Sequence, residues 1–274
     1  MITKKVKNSR NNDSLANTDI KDLATNAVFR TMTILETLSF HQGQTLEEFA
    51  PFVGLSRPTL FRFLIVLQRL GYVNKDKNNR YSLTPKIFEL GARSIDDVEL
   101  SRIARPLIED LSFNTGETVI LNILDGNFAV HVQKIESRYS ARFYERIGKR
   151  IPLYCTAPGK VLLASLNPVQ FDAYIAKTRL IAYTENTVTD PHLLQKQIRE
   201  IKEKNYCEVI NEYERDVHTL ACPIYDHEKT IIAAVSINWP TFRNNNEKRN
   251  ECLLRLEKVA KTISALMGCS FETH

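Results

Sequence analysis

Long apolar runs are missing from this 274-residue chain. None approaches the roughly 20 residues that a membrane-spanning helix needs. The N-terminal stretch MITKKVKNSRNNDSLANTD carries charge but no hydrophobic segment, which argues against a secretory signal. The five cysteines (Cys155, Cys207, Cys222, Cys252 and Cys269) are odd in number and form no CxxC pair. Reduced thiols in a cytoplasm are the expectation, with no membrane association. Six histidines are scattered without metal-ligand spacing, and a pairing such as His131 with Cys155 is not enough to expect a metal site. No GxSxG elbow, HExxH helix, Walker loop or dinucleotide fingerprint occurs, so no catalytic residue, cofactor or metal is expected.

What is present is most legible between residues 45 and 84, TLEEFAPFVGLSRPTLFRFLIVLQRLGYVNKDKNNRYSLT. Thr45 and Glu48 match a capping box, and Leu46, Phe49, Ala50 and Val53 make an apolar stripe at helical spacing. Gly54 sits at a sharp turn, Ser56 is an expected N-cap and Pro58 falls in the first turn of the next helix. In that helix Leu60, Phe63, Leu64, Leu67 and Leu70 face inward by spacing. Ser56, Arg57, Thr59, Phe61 and Arg62 lie toward its N-terminal, outward side. A hairpin follows, with Lys75, Lys77 and Arg80 at its tip. The order is that of a winged helix-turn-helix, whose second helix enters the DNA major groove. Upstream, residues 25–40 are expected to form the module's first helix, with Val28, Met32, Leu35 and Leu38 inward.

Small three-helix units also serve as protein-interaction modules, and the charge distribution weighs against that use. Residues 1–95 carry 14 Lys+Arg against 8 Asp+Glu, a surplus of six; residues 96–274 carry 23 against 24. The positive balance sits where phosphate attraction requires it.

Beyond the wing, Thr84-Pro85 opens a short helix that Gly91 is expected to interrupt, and a longer one runs from about Val98 to Phe113. Strand patterns begin at residue 118: TVILNILD and FAVHVQKIE flank Asp125-Gly126-Asn127, a hairpin signal. SARFYERIG alternates Arg142, Tyr144 and Arg146 with Phe143 and Ile147 and reads as a third strand. Helices follow the PLYCTAPGK loop, Pro168 and Asp190-Pro191; three strands near 205–212, 217–226 and 230–238 precede a terminal amphipathic helix. The fold class is α+β with a mainly antiparallel sheet. The expected domains are an arm without stable structure at 1–23, the winged module at 24–84, linker helices at 85–114 and the α+β domain at 115–270.

The segment GKRIPLYCTAPGKVLLA, together with LSRPTLFRFLIVLQRLGYV, RYSLTPKIFELG, LACPIYD and AAVSINWPTFR, resembles the IclR family of bacterial transcriptional regulators over residues 24–268. Within it, residues 134–164 look most like the regulators of 2-keto-3-deoxygluconate catabolism. The resemblance implies a GAF-like domain that binds a small organic acid, and homodimers or homotetramers on palindromic operator DNA. It implies a repressor of a sugar-acid operon by family prevalence; an activator, or a response to another organic or aromatic acid, stays open. Carried over, the effector site takes in Thr156, Ala157, Pro158, Gly159, Thr219, Ser236 and Asn238. Thr219 stands where many relatives have Cys, and Val209 where some carry an acidic residue.

The residues themselves point the same way. Gly159 at a helix start offers backbone amides to a carboxylate, unless Pro-Gly only shapes a turn. Arg142, with Tyr144 on the same strand face, is a candidate carboxylate partner, or else part of a solvated face with Arg146. Ser236 and Asn238 alternate inside an otherwise apolar strand, which suits a small polar ligand. Trp239 reads as packing and Cys155 as a buried thiol. Two other functions compete: a hydrolase using Ser236 or Cys155 behind a DNA-targeting module, and a structural nucleoid protein. The first lacks a nucleophile with a recognisable base, and the second has no need of a polar-lined pocket.

Overall fold

The computed structural model describes residues 27–96, 99–143 and 145–270. The expected arm at 1–23 and Tyr144 lie outside them. Contacts divide the chain into two compact units between Ser94 and Ile95.

The first unit contains helices α1 (Ala27–Phe40), α2 (Leu46–Val53) and α3 (Arg57–Arg69), then a hairpin of β1 (Val73–Lys75) and β2 (Tyr81–Leu83). Both halves of the Thr45–Glu48 capping box form: Glu48 N donates to Thr45 Oγ1 (3.3 Å) and Thr45 N to Glu48 Oε2 (2.8 Å). Gly54 closes α2 at φ +66°, a left-handed conformation that a Cβ would strain. Ser56 has N-cap backbone geometry, but its hydroxyl lies 2.9 Å from that of Thr59 instead of capping an amide. Ile34, Leu38, Phe49, Leu60, Leu64 and Leu67 meet Val73 and Tyr81 in one core. Val28 and Met32 are exposed, because α1 turns the Ile34–Leu38 stripe inward.

Helix α4 (Lys86–Asp96) spans the boundary and continues through Gly91, which keeps helical backbone where a break was expected. Helix α5 (Glu99–Thr115) is more than a linker. Its Leu100, Ala104, Ile108 and Leu111 are buried in the core of the second unit, the leucines and Ile108 each worth about 1.5–3 kcal/mol.

That unit is built on one sheet of six strands: β3 (Thr118–Asp125), β4 (Phe128–Ile135), β5 (Arg150–Pro152), β6 (Cys207–Ile210), β7 (Val217–Tyr225) and β8 (Ile231–Pro240). Their spatial order is β5-β4-β3-β8-β7-β6, and every neighbouring pair is antiparallel. The β3–β4 turn is Gly126-Asn127, with Gly126 at φ +57°. Helices α6 (Ala157–Leu163), α7 (Pro168–Lys177) and α8 (Pro191–Lys204) are inserted between β5 and β6, and α9 (Asn246–Leu266) closes the domain. The α+β expectation with an antiparallel sheet holds.

Strand alternation gives each face of the sheet its own core. On β8, Ala233, Val235, Ile237 and Trp239 pack with Leu220, Cys222 and Ile224 of β7 against α5 and α9. The opposite face joins Ala234 and Ala221 to Val161, Leu162, Ile198 and Ile201. Trp239 is fully buried and stacks on His218 at 4.3 Å between ring centroids, the packing role expected.

The described residues of the stretch 140–148 do not form the expected strand. Side chains bind their carbonyls where a neighbouring strand would have done so. Thr118 Oγ1 donates to Phe143 O (3.2 Å), Lys134 Nζ to Glu145 O (2.6 Å) and Arg243 Nη1 to Ala141 O (2.5 Å). Among the described residues, no single helix is long and apolar enough to cross a membrane.

Candidate functional site

In the first unit, α3 presents Ser56, Arg57, Phe61 and Arg62 to solvent, with Thr59 half-buried. Neither Arg57 nor Arg62 has an ion-pair partner among the described residues. Both are free for base edges or phosphates. At the wing, Lys77 is exposed and Lys75 lies over the Tyr81 ring at 5.5 Å. Arg80 differs from the expectation of a free tip cation. Its Nη1 donates to Gly43 O (2.7 Å) and lies 3.3 Å from Glu48 Oε2, tying the wing to the α1–α2 turn.

In the second unit, a cavity opens on the α6 side of the sheet. Its position follows from period two. Thr219 on β7 and Ser236 and Asn238 on β8 occupy the positions that alternate with the apolar residues facing α5 and α9. Val209, Thr219 and Asn238 form one cross-strand row. Six expected residues line the cavity: Thr156, Ala157, Pro158, Thr219, Ser236 and Asn238.

Two expected residues do not line it. Arg142 is paired with Glu136 at 3.1 Å, so the carboxylate it was expected to meet is one of the protein's own. Gly159 serves packing: a Cβ there would fall 2.5 Å from Leu153 Cα. Its N–H is already accepted by Thr156 Oγ1 (3.2 Å).

Sequence reading missed His131, Glu145, Asn211, Glu212, Tyr213 and Glu214, all on the cavity wall. The carboxylates are neutralised from behind. Lys149 pairs with Glu145 and, at 3.3 Å, with Glu214, while buried Lys160 lies 2.5 Å from Glu212 Oε1. Burial pushes the Glu145 carboxyl up against the opposing hydrogen bond from Lys149. Burial alone would lower the Lys149 ammonium, but bonding and attraction from Glu145 hold it above its usual range. The Cys155 thiol is pushed up to about 12 by burial with Glu212 adding to the effect, which leaves no reactive thiolate.

A polar chain lies beneath the cavity. Thr219 Oγ1 donates to Asn238 Oδ1 (3.0 Å), Asn238 Nδ2 to Ser236 Oγ (3.3 Å) and Ser236 Oγ to Ile120 O (3.4 Å). Asn122 Nδ2 reaches Ile120 O (3.1 Å), Ala234 O (3.2 Å) and Ser236 Oγ (3.3 Å), and Asn122 Oδ1 lies 2.7 Å from His131 Nδ1. A polar residue on the apolar face of TVILNILD or FAVHVQKIE is the same signal that marked Ser236, and would have found Asn122 and His131.

Comparison with known proteins matches both units. Residues 27–77 match the IclR helix-turn-helix domain, and residues 92–265 the bacterial transcriptional regulator IclR C-terminal domain. The HTH-type transcriptional regulator KdgR of Escherichia coli (strain K12) is 36% identical over 257 residues, covering 93% of this chain and 98% of the relative. KdgR of Dickeya chrysanthemi is 33% identical over 256 residues, covering 93% and 84%. The crystal structure of the Thermotoga maritima IclR superposes with a TM-score of 0.78 at 29% identity, covering 89% of this chain and 99% of that one. These relatives are transcriptional regulators and not enzymes. With a DNA-binding helix-turn-helix followed by a small-molecule-binding domain, this chain belongs to the IclR family of bacterial transcriptional regulators.

Proposed function

We propose that this chain is a cytoplasmic repressor that binds palindromic operator DNA as a homodimer or homotetramer. In this reading it releases a sugar-acid catabolic operon in response to a small organic acid such as 2-keto-3-deoxygluconate. The observation that carries the reading is the cavity, in which Thr156–Pro158 meet Thr219, Ser236 and Asn238. Likeness to the KdgR regulators over most of the chain supports the choice of acid.

The acid's carboxylate is assigned to the start of α6. Ala157 lines the cavity there, and its N–H is one of the donors that a helix leaves unsatisfied. Asn238 keeps one amide hydrogen beyond the bond to Ser236. DNA is assigned to α3, with Arg57 and Arg62 reading bases and Lys75 and Lys77 steadying the wing on phosphate. Regulation is a population shift: an acid that binds one arrangement of the sensory domains tenfold better moves the balance by about 1.4 kcal/mol. Helix α4, spanning the boundary between the units, carries that shift to the paired recognition helices.

The test is fluorescence anisotropy on a labelled operator fragment with and without 2-keto-3-deoxygluconate. Saturable, salt-sensitive binding that the acid weakens is the expected result. Binding indifferent to this acid removes it as effector, and absence of sequence-specific binding removes the operator assignment.

A further inference from the structure

The polar groups around the cavity do not balance, and the imbalance specifies what a ligand must bring. Ser236 has no hydrogen left to offer. Its hydroxyl donates to Ile120 O and accepts from Asn238 Nδ2, which leaves it acceptor capacity only. Thr219 spends its hydrogen on Asn238 Oδ1 and keeps only acceptor capacity. Glu145, Glu212 and Glu214 are acceptors paired with lysines.

His131 is the decisive member. It is 3% exposed, it lines the cavity, and its Nε2 is buried with no hydrogen-bond partner among the described residues. Its tautomer follows from its neighbour. Asn122 Nδ2 lies against two backbone carbonyls, Ile120 O and Ala234 O. Turning that amide over would set oxygen against both carbonyls, so Oδ1 must face His131 and Nδ1 must carry the hydrogen. A neutral ring with hydrogen on Nδ1 leaves a lone pair on Nε2. A buried acceptor left unmade costs free energy that a bound donor recovers.

We infer that His131 Nε2 is a specificity-determining acceptor for an effector hydroxyl, so that the sensory cavity selects hydroxyl-bearing acids over deoxy acids of the same length. The inference rests on the organic-acid reading above and narrows its ligand class. Burial, followed by the charges of Lys149 and Lys134, holds the ring down to about 4, so it stays an uncharged acceptor at neutral pH.

The discriminating variant is His131→Asn. An asparagine amide can keep the donation to Asn122 Oδ1 while nothing replaces the Nε2 atom. Calorimetric titration of full-length protein with 2-keto-3-deoxygluconate and with 2-oxohexanoate, its hydroxyl-free counterpart in chain length, gives a selectivity ratio. Wild type is expected to favour the hydroxylated acid. His131→Asn is expected to lose roughly 5- to 150-fold on that acid alone, the range for an unpaired buried group, with 2-oxohexanoate unchanged. His131→Gln, which carries an amide oxygen farther along its side chain, is expected to restore part of the ratio. Nitrogen-15 spectra of unliganded wild type should show Nδ1 protonated and Nε2 bare.

An Nε2-protonated tautomer overturns this inference alone, as does a ratio that His131→Asn leaves unchanged. Wild-type protein that binds neither acid overturns the organic-acid reading and this one with it. If His131→Asn does not fold, the wild-type tautomer and the His131→Gln ratio decide.

Discussion

Lys160 and Glu212 form an ion pair between helix α6 and the cavity wall, with side chains only 2% and 9% exposed. Glu212 also receives Val188 N at 3.4 Å, so the pair is partly satisfied by backbone. Removing one partner leaves a buried charge unmatched, which costs about 3–5 kcal/mol. Lys160→Met is therefore expected to lower the denaturant midpoint by that equivalent, and Lys160→Met/Glu212→Leu to recover most of it. A double variant no more stable than the single one would show that the pair is not a closed unit.

Under the proposed assignment, α3 and the wing are expected to respond differently to substitution. Arg57→Ala and Arg62→Ala are expected to abolish specific operator binding in footprints while leaving effector titrations intact. Arg80→Ala is expected to behave differently, because Arg80 is bonded to Gly43 O and Glu48. It should weaken all DNA sequences alike and shift the melting of the first unit slightly. Footprints that survive both α3 substitutions would move the reading head elsewhere.

Two glycines are expected to respond in opposite directions. Gly159→Ala drives a Cβ to 2.5 Å from Leu153 Cα, Leu153 O and Thr156 Oγ1, two of them backbone atoms that cannot swing aside. A loss of about 3 kcal/mol or more is expected from such overpacking. At Gly91 nothing lies within 4 Å of the added carbon and the backbone is helical. Gly91→Ala should stabilise by about 0.5–1 kcal/mol. Thermal melts of the two variants check both signs.

The acid limb of stability is expected to carry the signature of His131. Its folded pKa is depressed from 6.5 to about 4, so between those values the unfolded chain binds the extra proton. The contribution is complete above pH 6.5 and is lost as pH falls toward 4, amounting to about 3 kcal/mol at the lower end. Glu145, pushed up by burial, works the other way and is favoured by acid. Urea midpoints measured from pH 7.5 to 4 should fall for wild type and fall less for His131→Asn. Parallel curves would remove His131 as the source.

Local signals carried most of the architecture. The Thr45–Glu48 box, Gly54, the Asp125–Asn127 hairpin and Asp190-Pro191 all announce their elements within four residues, and all form. The alternation around Ser236 and Asn238 likewise located the cavity face. Residues 140–148 failed because alternation says nothing about where backbone bonds go, and here Thr118, Lys134 and Arg243 supply them. Gly91 failed because helical context outweighs the roughly 1 kcal/mol that one glycine costs. Glu212 was invisible for another reason: its partner lies 52 residues away, and no local pattern encodes such a meeting.

Strand β8 has a consequence for how a bound molecule is felt. Over its ten residues it alternates Ser236 and Asn238 on the cavity face with Val235, Ile237 and Trp239 on the face that bears α5 and α9. Helix α5 rests mainly on β3 and β4, and α9 rests on β7 and β8. One thickness of backbone separates the cavity floor from the core on the other face, so a displacement of Ser236 passes directly to Val235 and Ile237.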